Sequence, residues 1–125
     1  MALIQSVAQN RINQPKQFRR DCFLFIDEAQ NYISSSIDII LKETRKFGVY
    51  LVLANQNVTD IEPKKLLHSL LNNTDIKVIG RNGNKSLSIL SKEIGVTTQK
   101  LEEMKKYEFM YKIGDTSPLR FKGTM

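Results

Sequence analysis

A chain of 125 residues with 41% hydrophobic content is long enough for one domain with its own core, spanning 1–125. Nineteen Lys and Arg against thirteen Asp and Glu give a formal charge of +6, which favours a polyanionic partner such as nucleic acid without establishing one. No apolar run approaches the roughly 20 residues that span a bilayer, no basic segment leads into an apolar signal core, and the single cysteine, Cys22, excludes a disulfide framework, so a cytoplasmic location is expected.

In chain order, Ala2 to about Ile12 places Leu3, Ile4, Val7, Ala8 and Ile12 close to an amphipathic stripe, and Pro15 closes that helix. Cys22-Phe23-Leu24-Phe25-Ile26 is an unbroken apolar block, expected as a strand covered on both faces with Cys22 in the core. A helix from about Ser36, with serines as N-cap and Gly48 as its stop, puts Ile37, Ile40, Leu41, Thr44 and Phe47 on one face. Asp38, Lys42, Arg45 and Lys46 fall on the other. Val49 to Ala54 is the next buried strand, and two such strands joined by one helix make a parallel βαβ unit.

A helix starting near Pro63 buries Leu66, Leu67, Leu70 and Leu71, and Asp75 to Gly80 is a third strand. Leu87, Leu90 and Ile94 line a short helix that Asn84 caps and Gly95 stops. Thr97 caps the next, with Val96 and Leu101 as a hydrophobic staple. The tail EFMYKIGDTSPLRFKG predicts a β-hairpin in which Tyr107, Phe109 and Tyr111 share a face. The class is therefore α/β, a parallel sheet flanked by helices with a C-terminal β-hairpin.

Parallel strands share a C-terminal edge, so Asp27 and Glu28, after the first strand, and Gln56, after the second, should converge on one crevice. Unpaired carboxylates cost several kcal/mol in an apolar interior, so the pair belongs in a wet crevice, against a cation, or at the start of the next helix. Nucleotide hydrolysis needs such groups: a carboxylate for a divalent cation, one to orient water, and a polar sensor. Asp27 would hold Mg²⁺ through water, since this ion keeps most of its hydration shell, and Glu28 would polarise the attacking water. His68, with no partner at ligand spacing, is not a metal ligand. Lys64, Lys65, Lys105, Lys106 and Lys122 are solvated charge.

FLFIDEAQNY resembles a Walker B strand, and FLFIDEAQNYISSSIDIILKETRKFGVYLVLANQ resembles the HerA/FtsK superfamily of ring-forming DNA motors, in particular the TraG/TraD-type coupling proteins of conjugation and type IV secretion. The resemblance implies a RecA-like fold, ATP and Mg²⁺ as ligands, DNA as a partner, and a homo-oligomeric ring that can be attached to the inner membrane through a segment outside this stretch. It also implies catalytic roles for Glu28 and Gln56, and an arginine finger at Arg45 of ETRKFG acting on a neighbouring subunit. Arg81, after the third strand, is a weaker candidate for the same edge.

One departure is severe: no GxxxxGK[ST] loop occurs in these 125 residues, so the backbone N–H groups and lysine that cradle phosphates are missing. The chain reads as the C-terminal half of a motor domain that does not hydrolyse ATP alone. Where the phosphate-loop strand would lie, between the Gln56 strand and the strand from Asp75 to Gly80, a vacant slot is expected, closed by shifted pairing or by another copy of the chain, or left as an exposed edge through which the chain can self-associate. Three contiguous parallel strands would oppose this. Two other classes remain at this point, a non-catalytic α/β assembly module and a basic DNA-binding domain.

Overall fold

The computed structural model describes residues 2–33, 41 and 44–124. By their contacts they fall into two compact units, Met1–Gln56 with Ile61–Asn73, and Asn57–Asp60 with Thr74–Met125.

The first unit opens with α1 (Ala2–Ile12), a stretch of mostly good helix formers that ends ahead of Pro15. Ile12, at the end of the helix, is 53% exposed. Strands β1 (Cys22–Ile26) and β2 (Val49–Leu53) pair in parallel, with Cys22 opposite Val49 and Ile26 opposite Leu53. Strand pleating separates the apolar block into two faces. Cys22, Leu24 and Ile26 are half-buried, while Phe23 and Phe25 stand 59% and 73% exposed and Phe23 stacks on Tyr50. The expectation of cover on both faces is therefore corrected. An unbroken apolar run shows that both faces are apolar, whereas a covering layer must come from elements elsewhere in the chain.

The crossover from Ser36, with Ile37, Asp38, Ile40 and Lys42, lies outside the described residues. At its end Thr44 is buried, Arg45–Phe47 forms a 3-10 turn, and Gly48 takes φ 69°, the left-handed stop expected of a glycine there. After β2, helix α2 (Lys64–Asn72), with Pro63 at its N-cap, buries Leu66, Leu67 and Leu70, and Leu71 is half-buried.

In the second unit β3 (Ile76–Ile79) pairs antiparallel with β4 (Glu108–Ile113), which pairs antiparallel with β5 (Leu119–Lys122). Here the structure departs from a third parallel strand: β3 joins the C-terminal hairpin, and among the described residues it has no pairing with β2. Side-chain periodicity says that a segment is extended but not which neighbour it takes.

Helix α3 (Asn84–Ile94) starts one residue earlier than predicted, with Gly83 at the N-cap and Asn84 already helical. Gly95 stops it at φ 78°. Helix α4 (Thr98–Glu102) is capped as expected, Lys100 N donating to Thr97 Oγ1 at 3.4 Å. The core of this unit is Ile79, Leu87, Leu90, Ile94, Leu101, Met104 and Met110, with Val58 and Val96 packed against it. The outer aromatic face starts at Phe109, because Tyr107 precedes β4 at φ 66°. Phe121 stacks on Phe109 and meets Tyr111 edge-on.

Candidate functional site

The ladder between β1 and β2 continues past their ends. Ala54 N donates to Ile26 O at 2.9 Å, and Ala54 O accepts from Ala29 N at 3.0 Å. Between those two bonds the chain must leave the sheet and return within Asp27 and Glu28. Glu28 does so in the left-handed region, φ 48° and ψ 49°, which costs a non-glycine residue roughly 1–2 kcal/mol. Asp27 Oδ1 accepts from Glu28 N at 2.9 Å and steadies the turn, and Ala29, 1% exposed, anchors its far side.

The 3-10 turn Ala29–Asn31 then brings Asn31 back under Glu28, three residues on. Asn31 Nδ2 donates to Glu28 Oε2 at 3.3 Å, and Gln56 Nε2 donates to Glu28 Oε1 at 3.1 Å. Asn55 Oδ1 accepts from Gln30 N at 3.0 Å, tying the end of β2 to the same turn. Two amide donors fix the plane of an exposed carboxylate, the orientation needed to aim a water. Beside it, the Gln30 amide oxygen is buried with no donor from the described residues. Such an acceptor costs about 1–3 kcal/mol unless a donor is supplied.

Asp27, Glu28 and Gln56 thus meet as their strand ends require. The backbone of Arg45 lies at the opposite end of the strand pair: it precedes the N-terminal end of β2, whereas Glu28 follows the C-terminal end of β1. Strand rise alone separates those ends by roughly 13 Å. Arg81 belongs to the second unit, exposed just after β3. A polar cavity at the start of α3, lined by Asn57, Thr59, Asp60 and Gly83 to Ser86, holds none of the predicted site residues. Asn31 and Asn55 were not foreseen, although the three-residue spacing from Glu28 to Asn31 was a usable signal.

Among the described residues no cluster of three or more His, Cys, Asp or Glu side chains would hold a metal ion. A single exposed carboxylate at Asp27 fits Mg²⁺, which binds through one or two carboxylates, water and phosphate oxygens, and does not fit a caged metal. No helix of the described residues is long and apolar enough to cross a membrane.

No family model and no curated protein matches the chain. Solved structures do. The conjugative coupling protein TrwB superposes with a TM-score of 0.77 at 16% identity, over 97% of this chain and 36% of that one. VirB4 of Thermoanaerobacter pseudethanolicus gives 0.68 at 22% identity, over 88% of this chain and 33% of that one. The genome packaging NTPase B204 from Sulfolobus turreted icosahedral virus 2 gives 0.70 at 21%, over 99% and 62%. The fold is the α/β one that these three proteins share. Within that RecA-like frame, this chain spans about a third of TrwB and VirB4. TrwB has been solved with ADP and Mg²⁺, and B204 with AMPPCP.

Proposed function

We propose that this chain is the Walker B part of an ATP-driven, DNA-translocating motor of the conjugation or type IV secretion type. The observation that carries this is the Glu28 carboxylate, held by Gln56 across two parallel strands at 3.1 Å and set in a left-handed turn next to Asp27. Coupling-protein and packaging-NTPase structures share the fold.

In this reading Asp27 is the acceptor for hydrated Mg²⁺, whose role when bound is to neutralise phosphate charge. Glu28 orients and polarises the attacking water, with Gln56 and Asn31 setting the direction of its lone pairs. Gln56 also serves as the polar sensor at the shared strand edge. Arg45, at the other end of its own β2, acts on a neighbouring subunit's nucleotide, which makes a homo-oligomeric ring part of the proposal. The missing GxxxxGK[ST] loop means that the 125-residue chain by itself does not turn ATP over.

The test is Glu28→Gln in the gene product that carries this chain together with a phosphate loop. Turnover should fall to background while ATP binding, read by a fluorescent analogue, is unchanged. Retained turnover removes the water-orienting role and with it the motor assignment.

A further inference from the structure

We infer that Arg11 and Arg19 are positioning residues for Arg45, a clamp that fixes the end of the crossover on which Arg45 sits. This rests on the proposed action of Arg45 in trans. The chain leaving the crossover presents three successive carbonyls, and each is met by one of the two guanidinium groups. Arg19 Nη1 donates to Lys46 O at 3.2 Å, and Arg11 Nη1, whose two hydrogens are shared among three acceptors, donates to Phe47 O at 3.1 Å and to Gly48 O at 3.2 Å.

Each arginine also holds its own side of the junction. Arg11 Nη1 donates to Arg20 O at 2.6 Å, just ahead of β1, while Arg19 donates to Gln14 O at 2.8 Å and to Ile12 O at 3.3 Å, at the exit of α1. The Arg19 guanidinium carbon lies 5.5 Å from the Phe47 ring centroid. The closing carbonyls of a helix lack partners within it and carry negative partial charge, so a cation there is favourable. A guanidinium offers five donors in one rigid plane and serves several carbonyls at once, which a lysine ammonium cannot do with fixed geometry. Thus α1 is joined to the 3-10 turn Arg45–Phe47 by polar bonds with defined directions, and shifting either arginine shifts the backbone that carries Arg45.

A clamp of this kind has a signature that mere stabilisation lacks, because its effect appears in the neighbouring subunit. In the assembled gene product, Arg19→Gln and Arg11→Gln should lower kcat by roughly 10²-fold, the effect of an ångström-scale misplacement, with KM for ATP unchanged. Arg19→Lys should recover only part. Mixing Arg19→Gln subunits with Glu28→Gln subunits should restore turnover, since the latter present a well-held Arg45 to an intact Glu28 next door. No restoration on mixing overturns the clamp, as does full activity of both glutamine variants when Arg45→Ala is inactive. Full activity of Arg45→Ala instead overturns the trans role of Arg45 on which the clamp rests. If the gene product shows no turnover at all, the proposed function fails, and amide hydrogen exchange on the 125-residue chain decides whether a clamp exists. Exchange at Lys46 to Gly48 should quicken in both glutamine variants while β1 is unchanged, and equal exchange overturns it.

Discussion

Glu28 occupies a left-handed backbone conformation that its side chain resists and that glycine would accept freely. The turn needs it because Ile26 O and Ala29 N both bond to Ala54, leaving two residues to leave the sheet and return. Glu28→Gly should therefore stabilise the chain by about 1 kcal/mol, seen as a higher urea midpoint at constant slope, while removing the carboxylate. A lower midpoint would mean that the Gln56 and Asn31 bonds outweigh the strain. At this scale Asp27, Glu28 and Gln56 were legible, since each is fixed by where a strand stops. Asn55 was not, and Asn31 only through its three-residue spacing from Glu28, because their contacts depend on the chain doubling back after Glu28.

Among elements, α3 followed its pattern most closely, with Leu87, Leu90 and Ile94 all buried. Ile94 is 0% exposed at the centre of the second unit's core, so Ile94→Ala should cost about 2–5 kcal/mol, measured by chemical denaturation. An effect under 1 kcal/mol would mean that the site collapses around the smaller side chain. The hairpin adds a pH dependence. Glu108 accepts from Lys105 N at 2.6 Å and from the Arg120 guanidinium, and these bonds, the backbone one foremost, hold its carboxyl below the ordinary glutamate value. A lowered folded-state pKa gives stability that is present above the unfolded value, near 4.3, and lost as pH falls through the folded one. Glu108→Gln should flatten the acid limb of the stability curve below that value and leave the neutral plateau's pH slope unchanged, read by thermal melts across pH. Strand direction was the main thing hidden at this scale: β3 reads as extended in any pairing, and only its hydrogen bonds to β4 show it antiparallel.

At the scale of the whole molecule, β2 has one partner strand among the described residues, and Phe23, Phe25, Tyr50 and Val52 form an exposed apolar face on the same pair. Open strand edges and apolar faces favour association, so the 125-residue chain should sediment with a concentration-dependent coefficient that Val52→Lys lowers. A monomer at all concentrations would remove self-association through this sheet. The sequence by itself determined the α/β class, the parallel pairing of β1 and β2 and the meeting of Asp27, Glu28 and Gln56, because a connection of about twenty residues between two apolar strands favours the same direction and side-chain period is local to each segment. Tertiary structure alone decided that Glu28 turns left-handed, that one sheet face stays bare, that β3 sides with the hairpin, and that Arg11 and Arg19 grip the end of the crossover. Those depend on contacts between segments distant in the chain, and periodicity within a segment carries no information about them.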